Sequence, residues 1–171
     1  MKKSKSVKKP VKKATKASKK KASKSKSIAI CSSASFYKNV VEVEEALKKM
    51  GYKVLIPYTA EEMKKSGNFS VEAVKTWYEN PEDYKKKTFL TKNHFKKIVK
   101  SDSILVLNYE KNGKPGYIGG AVLAEMAIAL HFNKPIFILN PIQEDVSYKE
   151  ELLGALPIIL GGKLEAIKER F

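Results

Sequence analysis

Ser27-Ile-Ala-Ile-Cys31 is an uninterrupted apolar run that stops at the small polar turn Ser32-Ser33-Ala34-Ser35. Phe36, Val40, Val43, Leu47 and Met50 then recur at a spacing near 3.6, which predicts a helix closed by Gly51 as its C-cap. Lys53-Val-Leu-Ile-Pro57 reads as a second strand, ended by its proline. Strand, helix and strand in this order make a βαβ unit. Its crossover is right-handed in nearly all known cases, because a right-twisted strand packs back onto the sheet only that way.

The alternation continues outward from that unit. Residues 58–80 are rich in Lys, Glu and Asn, with Trp77 and Tyr78 inside a weakly helical pattern, and read as an insertion or a lid over the sheet. Pro81 opens a helix in which Tyr84, Phe89, Leu90, His94, Phe95 and Ile98 recur on one face. Ser103-Ile-Leu-Val-Leu107 is a third strand, Gly119 to Phe132 a Gly-opened helix, Pro135-Ile-Phe-Ile-Leu139 a fourth strand and Pro157-Ile-Ile-Leu160 a fifth. Lys163 to Phe171 suggest a closing helix. Strands that are continuous apolar runs belong to a parallel sheet covered on both faces. Such sheets bind ligands beyond the carboxyl ends of their strands. The loops leaving those ends, Cys31–Phe36, Asn108–Gly120 and Asn140–Ser147, are where a site is expected.

The chain has 171 residues, within the range of one domain, and a net charge of +16. That charge is uneven: 13 of the 34 Lys and Arg lie in residues 1–26, which contain no acid and no aromatic residue. A segment with so little to bury cannot offset its backbone ordering cost of about 1–2 kcal/mol per residue. Residues 1–26 are therefore expected to be a disordered lysine-rich tail, and residues 27–171 a nearly neutral α/β domain. The tail is either a solubilising extension or a nonspecific nucleic-acid binder whose affinity falls with salt. No apolar stretch precedes Ser27, which speaks against a signal peptide, and no run approaches the ~20 apolar residues of a membrane span. A single cysteine, Cys31, fits a reducing, cytoplasmic setting.

Three groups of residues carry chemistry. Ser32, Ser33 and Ser35 leave backbone N–H groups open at a helix start, suited to a phosphate or a sugar hydroxyl, or are simply a Ser-rich cap. The run Asn108 to Gly120 is Gly-rich and enters the helix that bears Glu125. That helix is apolar nearly all round, so it should be buried. A lone carboxylate there is costly to desolvate without a partner or a task. Its place near a helix N-terminus would keep it ionised and nucleophilic; a structural Glu paired to a backbone N–H or a lysine is the alternative. No G-x-G-x-x-G or G-x-x-x-x-G-K-[ST] occurs, which argues against dinucleotide and P-loop sites. His94, His131 and Cys31 lack metal-ligand spacing, so no metal is expected. Cys31 as a nucleophile would need a neighbouring base that the sequence does not place.

A Gly loop, then Glu125 on a small apolar helix, then Phe132-Asn-Lys-Pro-Ile136 resembles the nucleoside 2-deoxyribosyltransferase superfamily, including the deoxynucleoside 5′-monophosphate N-glycosidases. The stretch Ala124 to Ile136 carries the likeness without gaps, and Ser101 to Pro141 is its specific part. The resemblance implies a flavodoxin-like (Rossmann-like) three-layer sandwich with a five-stranded parallel sheet. It implies that Glu125 attacks the anomeric carbon of a nucleoside or nucleotide, forming a glycosyl ester that water or a second base resolves. Ser32, Ser33 and Ser35 would hold the 5′ end, Tyr117, Gly119 and Gly120 would line the sugar, and Asn108 would hydrogen-bond the base or a sugar hydroxyl. It also implies a homo-oligomer and no cofactor. The chain departs from the family pattern in three ways. Asn93-His94 stands where an Asp is usual, Ala29 where a first-strand Tyr is usual, and Ser32-Ser33 where Gly-Ser is usual. His94 could replace the missing Asp as proton donor, its ordinary pKa of about 6.5 suiting that work. A non-catalytic nucleotide-binding or nucleic-acid-associated module is the alternative function.

Overall fold

The computed structural model describes residues 25–171, so all but the last two residues of the lysine-rich tail lie outside it. Ser25 and Lys26 already engage the domain: Ser25 Oγ donates to the Gly51 carbonyl at 2.7 Å and the Lys26 carbonyl accepts from the Lys53 N–H at 2.9 Å.

Five strands, β1 (Ser27–Ser32), β2 (Lys53–Leu55), β3 (Ser103–Leu107), β4 (Ile136–Ile138) and β5 (Ile158–Ile159), form one sheet in the order β2-β1-β3-β4-β5. All neighbouring pairs are parallel, with Ile28 opposite Ser103 and Ser32 opposite Leu107 along the central pair. The connecting helices are α1 (Tyr37–Lys49), α2 (Tyr58–Ser66), α3 (Tyr84–Lys100), α4 (Gly120–His131), α5 (Lys149–Gly154) and α6 (Ile167–Arg170). This strand order is that of a flavodoxin-like three-layer sandwich. The chain reverses its direction of travel across the sheet between β1 and β3, which makes that pair the topological switch point.

Strand alternation divides the core in two. Ile28, Ile30, Leu105, Leu107 and Phe137 face α1 and α6, against Val40, Leu47 and Ile167. Ala29, Cys31, Ile104, Val106 and Ile138 face the other way, against Ile98 of α3 and Val122, Met126 and Ala129 of α4. Each large aliphatic side chain so buried contributes roughly 1.5–3 kcal/mol. The same alternation puts Cys31, at the carboxyl end of β1, on the α3–α4 side.

Residues 58–80 divide. Tyr58–Ser66 form α2, bury Ala60 and Met63, and end at Gly67 in the left-handed region (φ 71°). Glu44 of α1 accepts from Lys64 at 3.0 Å, and Lys97 of α3 reaches both Glu61 and the Ile56 carbonyl at 2.7 Å. This part belongs to the helical layer, which corrects the reading of the whole stretch as a lid; only residues 67–80 loop over the carboxyl side of the sheet.

The expected burial of the Glu125 helix holds on one side. Val122, Met126 and Ala129 are buried, whereas Ala121, Ala124, Ala127 and Leu130 face outward. The loop before it is fixed by Gly116. Its φ is 69°, and a Cβ there would lie 2.2 Å from the Pro141 carbonyl oxygen, so only glycine lets the two loops approach. The Tyr148 hydroxyl donates to the Ile118 carbonyl across the same seam. Among the described residues no helix is long and apolar enough to cross a membrane.

Candidate active site

A cleft of about 290 Å³ opens at the carboxyl ends of β1 and β3, the switch point of the sheet. Ser32 and Ser33 form one wall, Gly119, Gly120 and Glu125 the other, and Val74, Trp77 and Tyr78 from the 67–80 segment overhang it. Three elements meet at its floor. His94 comes from the middle of α3 and Glu125 from the second turn of α4, and the fully buried Cys31 at the end of β1 lies close to both without lining the cleft. His94 Nε2 lies 3.8 Å from Glu125 Oε1, the two side chains being 5% and 14% exposed. Among the described residues neither His94 nitrogen nor Glu125 Oε2 has a hydrogen-bond partner, so the cleft floor presents polar atoms that a ligand would satisfy.

Burial dominates the electrostatics. It raises the Glu125 carboxyl from its ordinary value of 4.5 to about 8, against smaller opposing effects from the Cys31 thiol and the Lys87 ammonium. This corrects the expectation that the helix start keeps Glu125 ionised: desolvation outweighs the helix dipole, which is worth about 0.3–1 kcal/mol in exposed settings. His94 is lowered to about 4, first by burial and then by the Lys97 charge. That lowering favours the neutral imidazole in the empty cleft. The Cys31 thiol, fully buried, is pushed well above its ordinary value by burial and then by Glu125, so it is an inert thiol and not a nucleophile. Tyr37, in the first turn of α1, lines the same cleft, and its hydroxyl is raised by burial and by the nearby Glu125.

These shifts set a stability profile. Glu125, whose pKa is raised on folding from 4.5 to about 8, contributes stability that is full below 4.5 and lost as pH rises through 8. His94, whose pKa falls on folding from 6.5 to about 4, contributes stability present above 6.5 and lost as pH falls through 4. The two slopes oppose each other between 4.5 and 6.5. Above 6.5 only Glu125 acts, and stability is expected to fall by at most about 1.4 kcal/mol per pH unit up to about pH 8. Thermal melts across this range are expected to show that decline in the native chain and a nearly flat line in Glu125→Gln.

The other expected residues are distributed as follows. Ser32, Ser33, Tyr117, Gly119 and Gly120 line the cleft, whereas Ser35 is exposed outside it. Gly119 makes room for the Tyr117 ring, whose hydroxyl would sit 2.9 Å from a Cβ at that position. Asn108 is fully buried away from the cleft. Its amide N–H groups donate to the Asn140 and Pro141 carbonyls at 2.9 and 3.1 Å, and its oxygen accepts from the Asn140 N–H at 2.8 Å. Its polar side chain is thus spent on joining two loops, which corrects its reading as a contact to base or sugar.

Sequence spacing spoke against a metal, but the fold brings donor atoms of Cys31, His94 and Glu125 within 4.8 Å of one another. This trio could hold one ion only after Cys31 and Glu125 both give up protons. Tyr37, Lys75, Lys87 and Lys111 line the cleft and were not singled out in the sequence. The lysines resemble any others in the chain, whereas Tyr37 had one signal, its place just after the first strand's turn.

No protein-family model matches the chain, and no curated protein matches it. Among solved structures it is similar to the 2-deoxyribosyltransferase of the psychrotolerant bacterium Bacillus psychrosaccharolyticus. Identity is 19% over 72% of this chain and 78% of that one, with a TM-score of 0.46. The strand order and the floor of the cleft stand independently of that likeness.

Proposed function

We propose that the chain cleaves or transfers the N-glycosidic bond of a (deoxy)nucleoside or nucleoside 5′-monophosphate through a glycosyl ester on Glu125. The observation that carries this reading is the Glu125 carboxyl, set at the floor of a cleft at the sheet's switch point with one oxygen lacking any partner. Once ionised, Glu125 attacks the anomeric carbon. The bond to the base breaks with its electron pair leaving on the base, and water or a second base then displaces the sugar from the ester. The developing positive charge on the sugar favours the carboxylate in the transition state more than in the empty cleft. Tyr37 and His94 flank the carboxyl, with His94 Nε2 3.8 Å from Glu125 Oε1.

The test is base release, followed by chromatography, from a panel of nucleosides and 5′-monophosphates. Release that a second free base converts into a new nucleoside identifies a transferase; release without exchange identifies a hydrolase. No release by folded protein from any member rejects the reading.

A second reading is a nucleotide-binding module without turnover. It is favoured by the burial that holds Glu125 protonated, since a neutral carboxyl is no nucleophile. Self-association is part of the first reading and is supported by the outward apolar side of α4, where Leu130 and Phe132 are each 48% exposed. Cytoplasmic residence and polyanion binding by residues 1–26 belong to the same proposal, supported by the single buried thiol and by the tail's charge.

A further inference from the structure

We propose that the mouth of the cleft is a pyrophosphate-binding subsite formed by Lys75, Lys87 and Lys111, which extends the substrates of the proposed reaction beyond the 5′-monophosphate to nucleotides with two or more phosphates. This rests on the reading of the cleft as a nucleotide site.

The three lysines come from three separate pieces of chain: the 67–80 segment, the first turn of α3 and the loop after β3. All three are half-buried, an unusual state for a residue that almost never leaves water unpaired. The other half-buried lysines among the described residues each have an acceptor: Lys97 has Glu61, Lys134 has the Ser101 carbonyl and Lys149 has Glu144. Lys75 and Lys111 have no carboxylate at ion-pair distance and no side-chain hydrogen bond among the described residues, and Lys87 reaches only the Thr91 hydroxyl at 3.3 Å. Lys111 instead lies over the Tyr117 ring at 4.9 Å, and Lys87 stands 5.9 Å from the Trp77 ring. The charges repel one another: Lys75 is held below its ordinary value by burial first, then by Lys111 and Lys87, with a smaller opposing pull from Glu72.

Convergent, inward-turned and unneutralised ammonium groups are a cost in the empty chain that an anion removes. The size of the anion follows from the charge. A single phosphate monoester carries about −1.5 to −2 at neutral pH, too little to balance three ammonium groups, and a second phosphate supplies the difference. The half-buried Tyr117 ring beside the lysines fits the same ligand, offering a face for the base or ribose next to the phosphates.

Because the base is unidentified, the probes are inorganic pyrophosphate and inorganic phosphate, titrated calorimetrically into the full chain. Wild type is compared with Lys75→Met, Lys87→Met, Lys111→Met and the triple variant, and circular dichroism checks folding. Methionine keeps the aliphatic stem and removes the charge, and the lysines of residues 1–26 are common to every sample. Pyrophosphate is expected to bind wild type at least tenfold more tightly than phosphate, each single variant to lose part of that ratio and the triple variant to lose it all. An equal affinity for the two anions in wild type overturns the proposal, as does a ratio that survives in the triple variant. Base release from the nucleoside and monophosphate panel, extended with 5′-diphosphates, separates the two readings. Release without a pyrophosphate preference rejects this subsite alone. A preference that the triple variant abolishes, without release from any nucleoside, monophosphate or diphosphate, rejects the glycosidic chemistry and leaves the subsite standing.

Discussion

Glu125→Gln is expected to lower base release by a factor on the order of 10³ or more while leaving ligand binding within a few-fold of wild type. The substitution keeps the volume of the side chain and removes only its capacity to ionise and form an ester. The pH profile adds a second arm. Because burial holds the carboxyl at about 8 in the empty cleft, kcat/KM of the wild type should climb with pH and level off above that value. A carboxyl acting as general acid gives the opposite limb, with activity falling through the same pH. A profile of that second shape, or a Glu125→Gln enzyme that retains turnover, would remove the nucleophile role. The same burial makes the native residue a liability for folding at alkaline pH, so loss of activity and gain of stability should appear in one variant. Such opposition is expected where a site is built at the expense of the fold.

Asn108→Ala is expected to cost roughly 3 kcal/mol and to lower Tm by about 6–12 °C, one of the larger effects available outside the aliphatic core. Three hydrogen bonds of a fully buried side chain are lost together, and the Asn140 N–H and carbonyl are left without the partners that replaced water. Asn108→Asp should be worse, since it sets a carboxylate against the Asn140 and Pro141 carbonyl oxygens. Thermal and denaturant melts measure both. A Tm within 2 °C of wild type with a raised KM would instead return Asn108 to the ligand.

The sheet was legible because its strands are short apolar runs between turn residues, and β1, β3 and β4 lie where those runs stand. Glu125 was legible for a related reason: a carboxylate in an otherwise apolar helix has few structural explanations. Helix α2 was not, since Ala60 and Met63 are almost its only inward residues and the lysines and glutamates around them mask the period. The state of Glu125 was also hidden. Sequence places it near a helix start, but how deeply the packing of α3 against α4 covers it is a tertiary fact. The meeting of Cys31 with His94 and Glu125 depends on which side of the sheet an odd-numbered residue of β1 faces and on which helices lie there. Asn108 was misread because a polar residue just past a strand end suits a ligand and a loop clamp equally well.

The cleft has one stiff jaw and one compliant jaw. Gly116 against the Pro141 carbonyl, Asn108 between Asn140 and Pro141, and the Tyr148 hydroxyl on Ile118 bind the loops after β3 and β4 into a single piece. Across from them, every hydrogen bond that residues 67–80 make among the described residues is to a residue at most four positions away, and the buried Trp77 ring is what anchors the segment to the body. Opening and closing of the cleft therefore falls to the compliant side. Prising Trp77 from its seat breaks apolar contact without breaking any long-range hydrogen bond, so the doorway can swing while the wall that carries Glu125 keeps its shape.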